Sequence, residues 1–175
     1  MDKNFLRVAA ADPEIRVADT EYNADAIINT VKAAAKEGVQ ALVFAELCVT
    51  GYTCGDLFFQ RTLTRGAECA VKKIAERTAD TGMLVFVGLP VRCDGKLYNV
   101  CAALQGGKIL GLIPKTHYPD YGEFNELRYF TRADEPRKID FAGQVCDMAQ
   151  MLIVADGDVT IGAEICEDLW APAPP

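Results

Sequence analysis

Ala41-Leu42-Val43-Phe44-Ala45 is an unbroken apolar run that stops on Glu46. Five apolar residues without alternation fit a short strand buried on both faces. The flanks agree with that reading. Upstream, Ala24, Ile27, Ile28, Val31 and Ala35 recur at helical spacing over residues 20–36. Asp19 or Thr20 can cap the start of this helix, and Gly38 closes its end. Before it, residues 5–11 read as a strand that Asp12-Pro13 terminates. Downstream, Ala67, Ala70, Val71, Ile74 and Ala75 mark the inward face of a helix over 60–78, and residues 83–89 form another buried strand. The alternation of strand and helix predicts helices packed on a mixed sheet, in one α/β or α+β domain.

Past residue 90 the pattern changes. Residues 91–92, 97–104 and 108–113 read as successive strands, with Asp94-Gly95 and Gly106-Gly107 as hairpin turns. Residues 115–133, rich in Tyr, Pro, Gly and charge, read as a long functional loop. Residues 150–155 and 159–165 form a further strand pair around Asp156-Gly157-Asp158.

The 175 residues carry a formal net charge of −7, with no basic run, which excludes nucleic acid as the main partner. The seven cysteines are odd in number and none has C-x-x-C spacing, so neither a disulfide framework nor a zinc site is expected. They fit a reducing compartment. No stretch reaches the roughly 18 apolar residues of a membrane span, and the N-terminus lacks a signal-peptide core. The chain reads as cytoplasmic.

Three strand-like segments end on chemistry-bearing residues: Glu46 after 41–45, Lys115 after 108–113 with Pro114 between, and Cys166 after 159–165. Ligand sites of α/β sheets lie at strand ends, so the three can share a cleft. A carboxylate, an amine and a thiol together suit thiolate attack on a carbonyl or nitrile carbon. The ammonium favours the thiolate, and the carboxylate takes the thiol proton and returns it to a leaving amine. The ammonium and the Glu167 N–H can hold an oxyanion. Taken singly, each has a plainer role: Cys166 as a buried packing thiol, Glu46 as a cap or solvated charge, Lys115 as a surface lysine. The single histidine, His117, offers a Cys166–His117 dyad as an alternative. Asp56 and Asp168 lack the companions of a metal site.

The segments around these three residues resemble the motifs of the nitrilase (carbon–nitrogen hydrolase) superfamily. Phe44-Ala45-Glu46-Leu47-Cys48-Val49-Thr50-Gly51-Tyr52 is similar to its Glu motif, Pro114-Lys115-Thr116-His117-Tyr118-Pro119 to its Lys motif, and Glu164-Ile165-Cys166-Glu167-Asp168 to its Cys motif. Within the superfamily, Asp120-Tyr121-Gly122-Glu123-Phe124-Asn125-Glu126-Leu127-Arg128-Tyr129-Phe130 and Leu169-Trp170-Ala171-Pro172 resemble the N-terminal glutaminase domains of glutamine-dependent NAD synthetases.

This resemblance implies an α-β-β-α sandwich with mixed sheets, incomplete here at its C-terminal end. It implies that Cys166 attacks the glutamine side-chain amide, with Glu46 as base and acid and Lys115 at the oxyanion. Glu126 matches a second site glutamate, and Tyr52, Tyr121 and Glu167 match glutamine-pocket positions. Residues 1–175 would then be the first part of a glutaminase domain. No cofactor is expected for that step. ATP and Mg are expected only in a synthetase domain that this chain lacks, and no G-x-x-x-x-G-K-[ST] loop occurs. The expected partners are glutamine, the synthetase domain and further copies of the chain. The alternatives are a stand-alone amidase on another small amide, or an inactive fragment acting as an interaction module.

Overall fold

The computed structural model describes residues 5–133, 135–150, 152–156 and 159–175. Along them run β1 (Val8–Ala11), α1 (Thr20–Lys36), β2 (Ala41–Phe44), α2 (Arg61–Arg77), β3 (Leu84–Cys93), β4 (Lys96–Gln105), β5 (Lys108–Pro114), β6 (Arg137–Phe141), β7 (Gln144–Met148), β8 (Val154–Asp156) and β9 (Val159–Ile161). The first seven strands in spatial order are β1-β2-β3-β4-β5-β7-β6. β1, β2 and β3 are parallel, because α1 and α2 form the crossovers that join them in turn. β3, β4 and β5 are antiparallel, because tight turns join them. Those turns fall where expected: Asp94 and Gly95 both have positive φ (50° and 76°), as do Gly106 and Gly107 (57° and 80°).

Both helices lie on one face of the sheet. Asp19 caps α1, its carboxylate accepting the Tyr22 N–H at 3.0 Å. Ile27, Val31, Val71 and Ile74 are fully buried against Leu42, Val85 and Val87. Each such side chain contributes roughly 1.5–3 kcal/mol. The other face is covered by residues 152–165: Leu152, Val154, Ile161, Ala163 and Ile165 pack on Ala41, Phe86, Cys101 and Ile113. The result is a helical layer, a main sheet, and a second, two-stranded antiparallel sheet, β8–β9.

Three local expectations are corrected. β2 is not buried on both faces throughout, since Val43 is 44% exposed. The covering segment reaches Ala41 and stops short of the outer strands. Residues 91–92 are not a separate strand, because β3 runs on through Pro90, paired with Asn99. β2 pairs only as far as Phe86, so Pro90 breaks no ladder on that side. The hairpin β6–β7 was not anticipated. Its signal is the alternation of buried Ile139 and Phe141 with exposed Lys138 and Asp140. Its turn, Ala142-Gly143, is not one of the usual hairpin pairs. In the strand pair expected over 150–165, the paired residues are Val154–Asp156 with Val159–Ile161. Met151, Gly157 and Asp158 lie outside the described residues.

Burial pushes the thiols of Cys48 and Cys101 up to about 12 from an ordinary 9.0. An unfolded chain ionises them near pH 9 and the folded one does not. Their stabilising contribution is therefore complete below pH 9 and lost as pH rises toward 12, by about 1.4 kcal/mol per pH unit for each thiol. Urea titrations between pH 9 and 10 should show this slope, and Cys101→Ala should flatten it by one proton. An unchanged slope in that variant would contradict the assignment.

Candidate active site

The residues singled out in the sequence gather at one end of the main sheet. Glu46 leaves β2 in a tight turn in which Leu47 takes a positive φ of 53°. The turn lies directly on β3 at Gly88. A Cβ at Gly88 would fall 2.3 Å from the Leu47 nitrogen and 3.0 Å from the Glu46 carbonyl carbon. The Gly88 carbonyl also accepts the Val49 N–H at 3.1 Å. Only glycine lets the Glu46 turn come this close. Gly88→Ala is thus expected to cost about 1–3 kcal/mol and to displace Glu46. A melt of the variant, with the rate of Cys166 modification alongside, checks both effects.

Lys115 follows β5 and is fully buried. Its ammonium sits between two carboxylates, 2.7 Å from Glu46 Oε1 and 2.8 and 2.9 Å from Glu126 Oε2 and Oε1. Tyr52 donates its hydroxyl to Glu126 Oε1 at 2.7 Å, and Asn99 Nδ2 donates to Glu46 Oε1 at 2.6 Å. Glu126 stands on a short 3₁₀ turn (Glu126–Arg128) within the long loop. The loop is held by its own small core, in which Tyr118 stacks on Phe130, and Phe130 meets Phe58.

Burial pulls the Lys115 ammonium down, but Glu46 and Glu126 outweigh it and hold the pKa above the ordinary lysine value. Burial raises the Glu126 carboxyl despite the bonds from Lys115 and Tyr52. Burial, and next the bond to Glu126, raise the Tyr52 phenol.

Cys166 opens a 3₁₀ turn (Cys166–Leu169) with a φ of 51°, a left-handed conformation that non-glycine residues rarely take. Its thiol is exposed and is coupled by charge to Glu46, Lys115 and Glu126. Burial raises its pKa first, and Glu46 adds to this; Lys115 and the Glu167 N–H pull the other way and lose. Lys115 pulls toward the thiolate, the direction expected of it, but burial and the carboxylates outweigh it. Two carboxylates share the one ammonium, so the surrounding charge is net negative. The resting sulfur is a thiol that needs a base.

Tyr121 and Glu167 meet on the exposed side of the site, the phenol donating to Glu167 Oε2 at 3.0 Å. His117 does not form a dyad with Cys166. Its Nε2 lies 2.9 Å from the Ala173 carbonyl, and its backbone N–H bonds Asp168. Asp168 is buried, and its carboxylate accepts N–H bonds from Thr116 (3.0 Å), His117 (2.7 Å) and Ile165 (3.3 Å). It fastens the residues after Lys115 to the turn of Cys166. The sequence reading weighed Asp168 only as a metal ligand and overlooked Asn99 and Gly88. A lone Asn and a lone Gly inside apolar strands were the signals available. Among the described residues, no group of three His, Cys, Asp or Glu side chains could hold a metal ion. Likewise, no helix is long and apolar enough to cross a membrane.

A family model of carbon–nitrogen hydrolases matches residues 7–174, and the chain belongs to that family. More narrowly, it is 31% identical over 175 residues to the glutamine-dependent NAD(+) synthetase of Mycobacterium tuberculosis, covering 98% of this chain and 26% of that protein. It is 32% identical over 170 residues to that of Thermotoga maritima, covering 97% of this chain and 27% of the relative. The chain thus spans about a quarter of these curated relatives. Its fold superposes on a glutamine-dependent NAD(+) synthetase from Cytophaga hutchinsonii with a TM-score of 0.85 at 28% identity, over 93% of this chain and 28% of that one. The NitN amidase of a Nesterenkonia species shares the fold, with a TM-score of 0.71 at 21% identity over 96% of this chain and 60% of that one.

Proposed function

We propose that this chain hydrolyses the side-chain amide of glutamine through a thioester on Cys166, as the first part of a glutaminase domain. The observation that supports it most is the Glu46–Lys115–Glu126 network set beside an exposed cysteine on a left-handed turn. Glu46 takes the thiol proton, and the sulfur attacks the amide carbon. The oxygen of the tetrahedral intermediate is held by Lys115 and the Glu167 N–H. Nζ lies nearly equidistant from both oxygens of Glu126, so one proton can serve both and another remains for the oxyanion. The C–N bond breaks as Glu46 returns the proton to departing ammonia. Glu46 then draws a proton from water, whose oxygen attacks the thioester, and passes that proton to the departing sulfur as glutamate is released. The negative charge of Glu167, steadied by Tyr121, suits the α-ammonium of the substrate.

The step needs no cofactor. In the reading the relatives support, the ammonia passes to a synthetase domain outside this chain, which uses ATP and Mg to convert deamido-NAD to NAD. The same reading makes the protein cytoplasmic and a homo-oligomer.

The test is covalent trapping. The folded chain is treated with a diazo-ketone analogue of glutamine, and the modified peptide is identified by mass spectrometry. A single adduct on Cys166 that excess glutamine blocks is the expected result. Adducts spread over the exposed thiols, Cys69 included, would end the proposal for this chain.

A further inference from the structure

Asn99 is the one amide inside the otherwise apolar stretch from Leu97 to Leu104 of β4, and it is fully buried. Its carbonyl accepts the Lys115 N–H at 2.8 Å, so it stands beside Lys115 on the ladder step just past the Val100–Pro114 pair. Its Nδ2 donates to Glu46 Oε1 at 2.6 Å. Its Oδ1 is buried with no partner among the described residues. The amide cannot be turned around, because that would set two oxygens against each other at this short distance.

A buried carbonyl oxygen without a donor costs stability, and an apolar residue at 99 would avoid the cost. The donor on the other arm is what the site gains. Asn99 Nδ2 and Lys115 Nζ both fall on Oε1 of Glu46, and neither bonds Oε2. The two donors come from adjacent strands joined by a backbone hydrogen bond, so their spacing is rigid.

The geometry points to Asn99 as a positioning residue that locks Glu46 through Oε1 and leaves Oε2 as the atom that takes and returns the Cys166 proton. This inference rests on Glu46 acting as the base. A carboxylate held by Lys115 alone could rotate about that single contact and exchange its oxygens. Held by two donors, it keeps one oxygen back for the proton.

The test is a double-mutant cycle in the 175-residue chain, with two readouts. One is kcat and KM for glutamine. The other is alkylation of Cys166 by chloroacetamide, measured against the exposed Cys69 in the same sample. Asn99→Leu keeps the volume and removes the donor. It is expected to lower kcat about 10- to 100-fold, the effect of one hydrogen bond to a charged group, and to leave KM unchanged. Cys166 alkylation should fall with it. In a Glu46→Gln background the same substitution should slow alkylation no further, because the group it acts through is gone. A role confined to strand packing predicts the same loss in both backgrounds, and that result would overturn the inference. So would a folded Asn99→Leu with the parent rate. If circular dichroism shows Asn99→Leu unfolded, Asn99→Val, smaller and a good strand former, removes the donor without adding a charge and is read against the same two outcomes. Should the parent chain fail to hydrolyse glutamine, the glutaminase reading falls while the alkylation cycle still decides the role of Asn99.

Discussion

Cys166→Ala is expected to abolish release of ammonia from glutamine, a loss on the order of 10⁴–10⁶ in kcat. In a protein that also carries the synthetase domain, synthesis from free ammonia should survive the change. In the proposed mechanism the Cys166 sulfur carries the covalent intermediate, and alanine offers no nucleophile in its place. The structure also makes alanine a clean replacement. Position 166 has a φ of 51°, a strain that cysteine and alanine share, and its side chain is exposed. The melting temperature should therefore stay close to the parent's, with a stability change within about 0.5 kcal/mol. Loss of the ammonia-driven reaction together with the glutamine-driven one would contradict this division of roles.

Lys115→Ala should strike both activity and stability. One lost oxyanion donor costs about 10²–10³ in rate. The stability effect comes from what remains: Glu46 and Glu126 both approach Lys115 Nζ within 3 Å, and without it two carboxylates face each other in a largely buried space. Breaking a buried pair from one side typically costs about 3–5 kcal/mol. The Glu126 carboxyl is already raised by burial, so protonation of Glu126 absorbs part of that cost. The variant should consequently regain stability as pH falls toward the carboxylate range, where the parent gains less. Adding Glu126→Gln should restore stability without restoring rate. A Lys115→Ala chain that melts like the parent and keeps most of its rate would remove Lys115 from the site.

Much of this was readable along the chain. The apolar run 41–45, the two helical stripes and the Asp-Gly and Gly-Gly turns are local patterns, and they became a strand, two helices and two turns, although Val43 in the run stays exposed. Glu46, Lys115 and Cys166 were visible as polar residues closing strand-like segments. Glu126 and Tyr52 came from resemblance and not from pattern, since neither stands at a strand end. Asn99 could have been flagged as a polar residue in an apolar strand. Its partner could not, because 53 residues separate it from Glu46.

What the sequence by itself determined is the set of elements and the chemical kinds at their ends, because periodicity, turn chemistry and capping act over a few residues. The tertiary structure alone decided which of those ends meet and in what electrical state. Lys115 proved to be shared between two carboxylates, and the thiol of Cys166 is pushed up by burial and next by Glu46 in spite of Lys115. Asp168 proved to be a clamp between two motifs. Gly88 proved to be the gap into which the Glu46 turn fits. Such facts depend on distances between residues far apart in the chain, and on burial that weakens or strengthens every charge according to its neighbours.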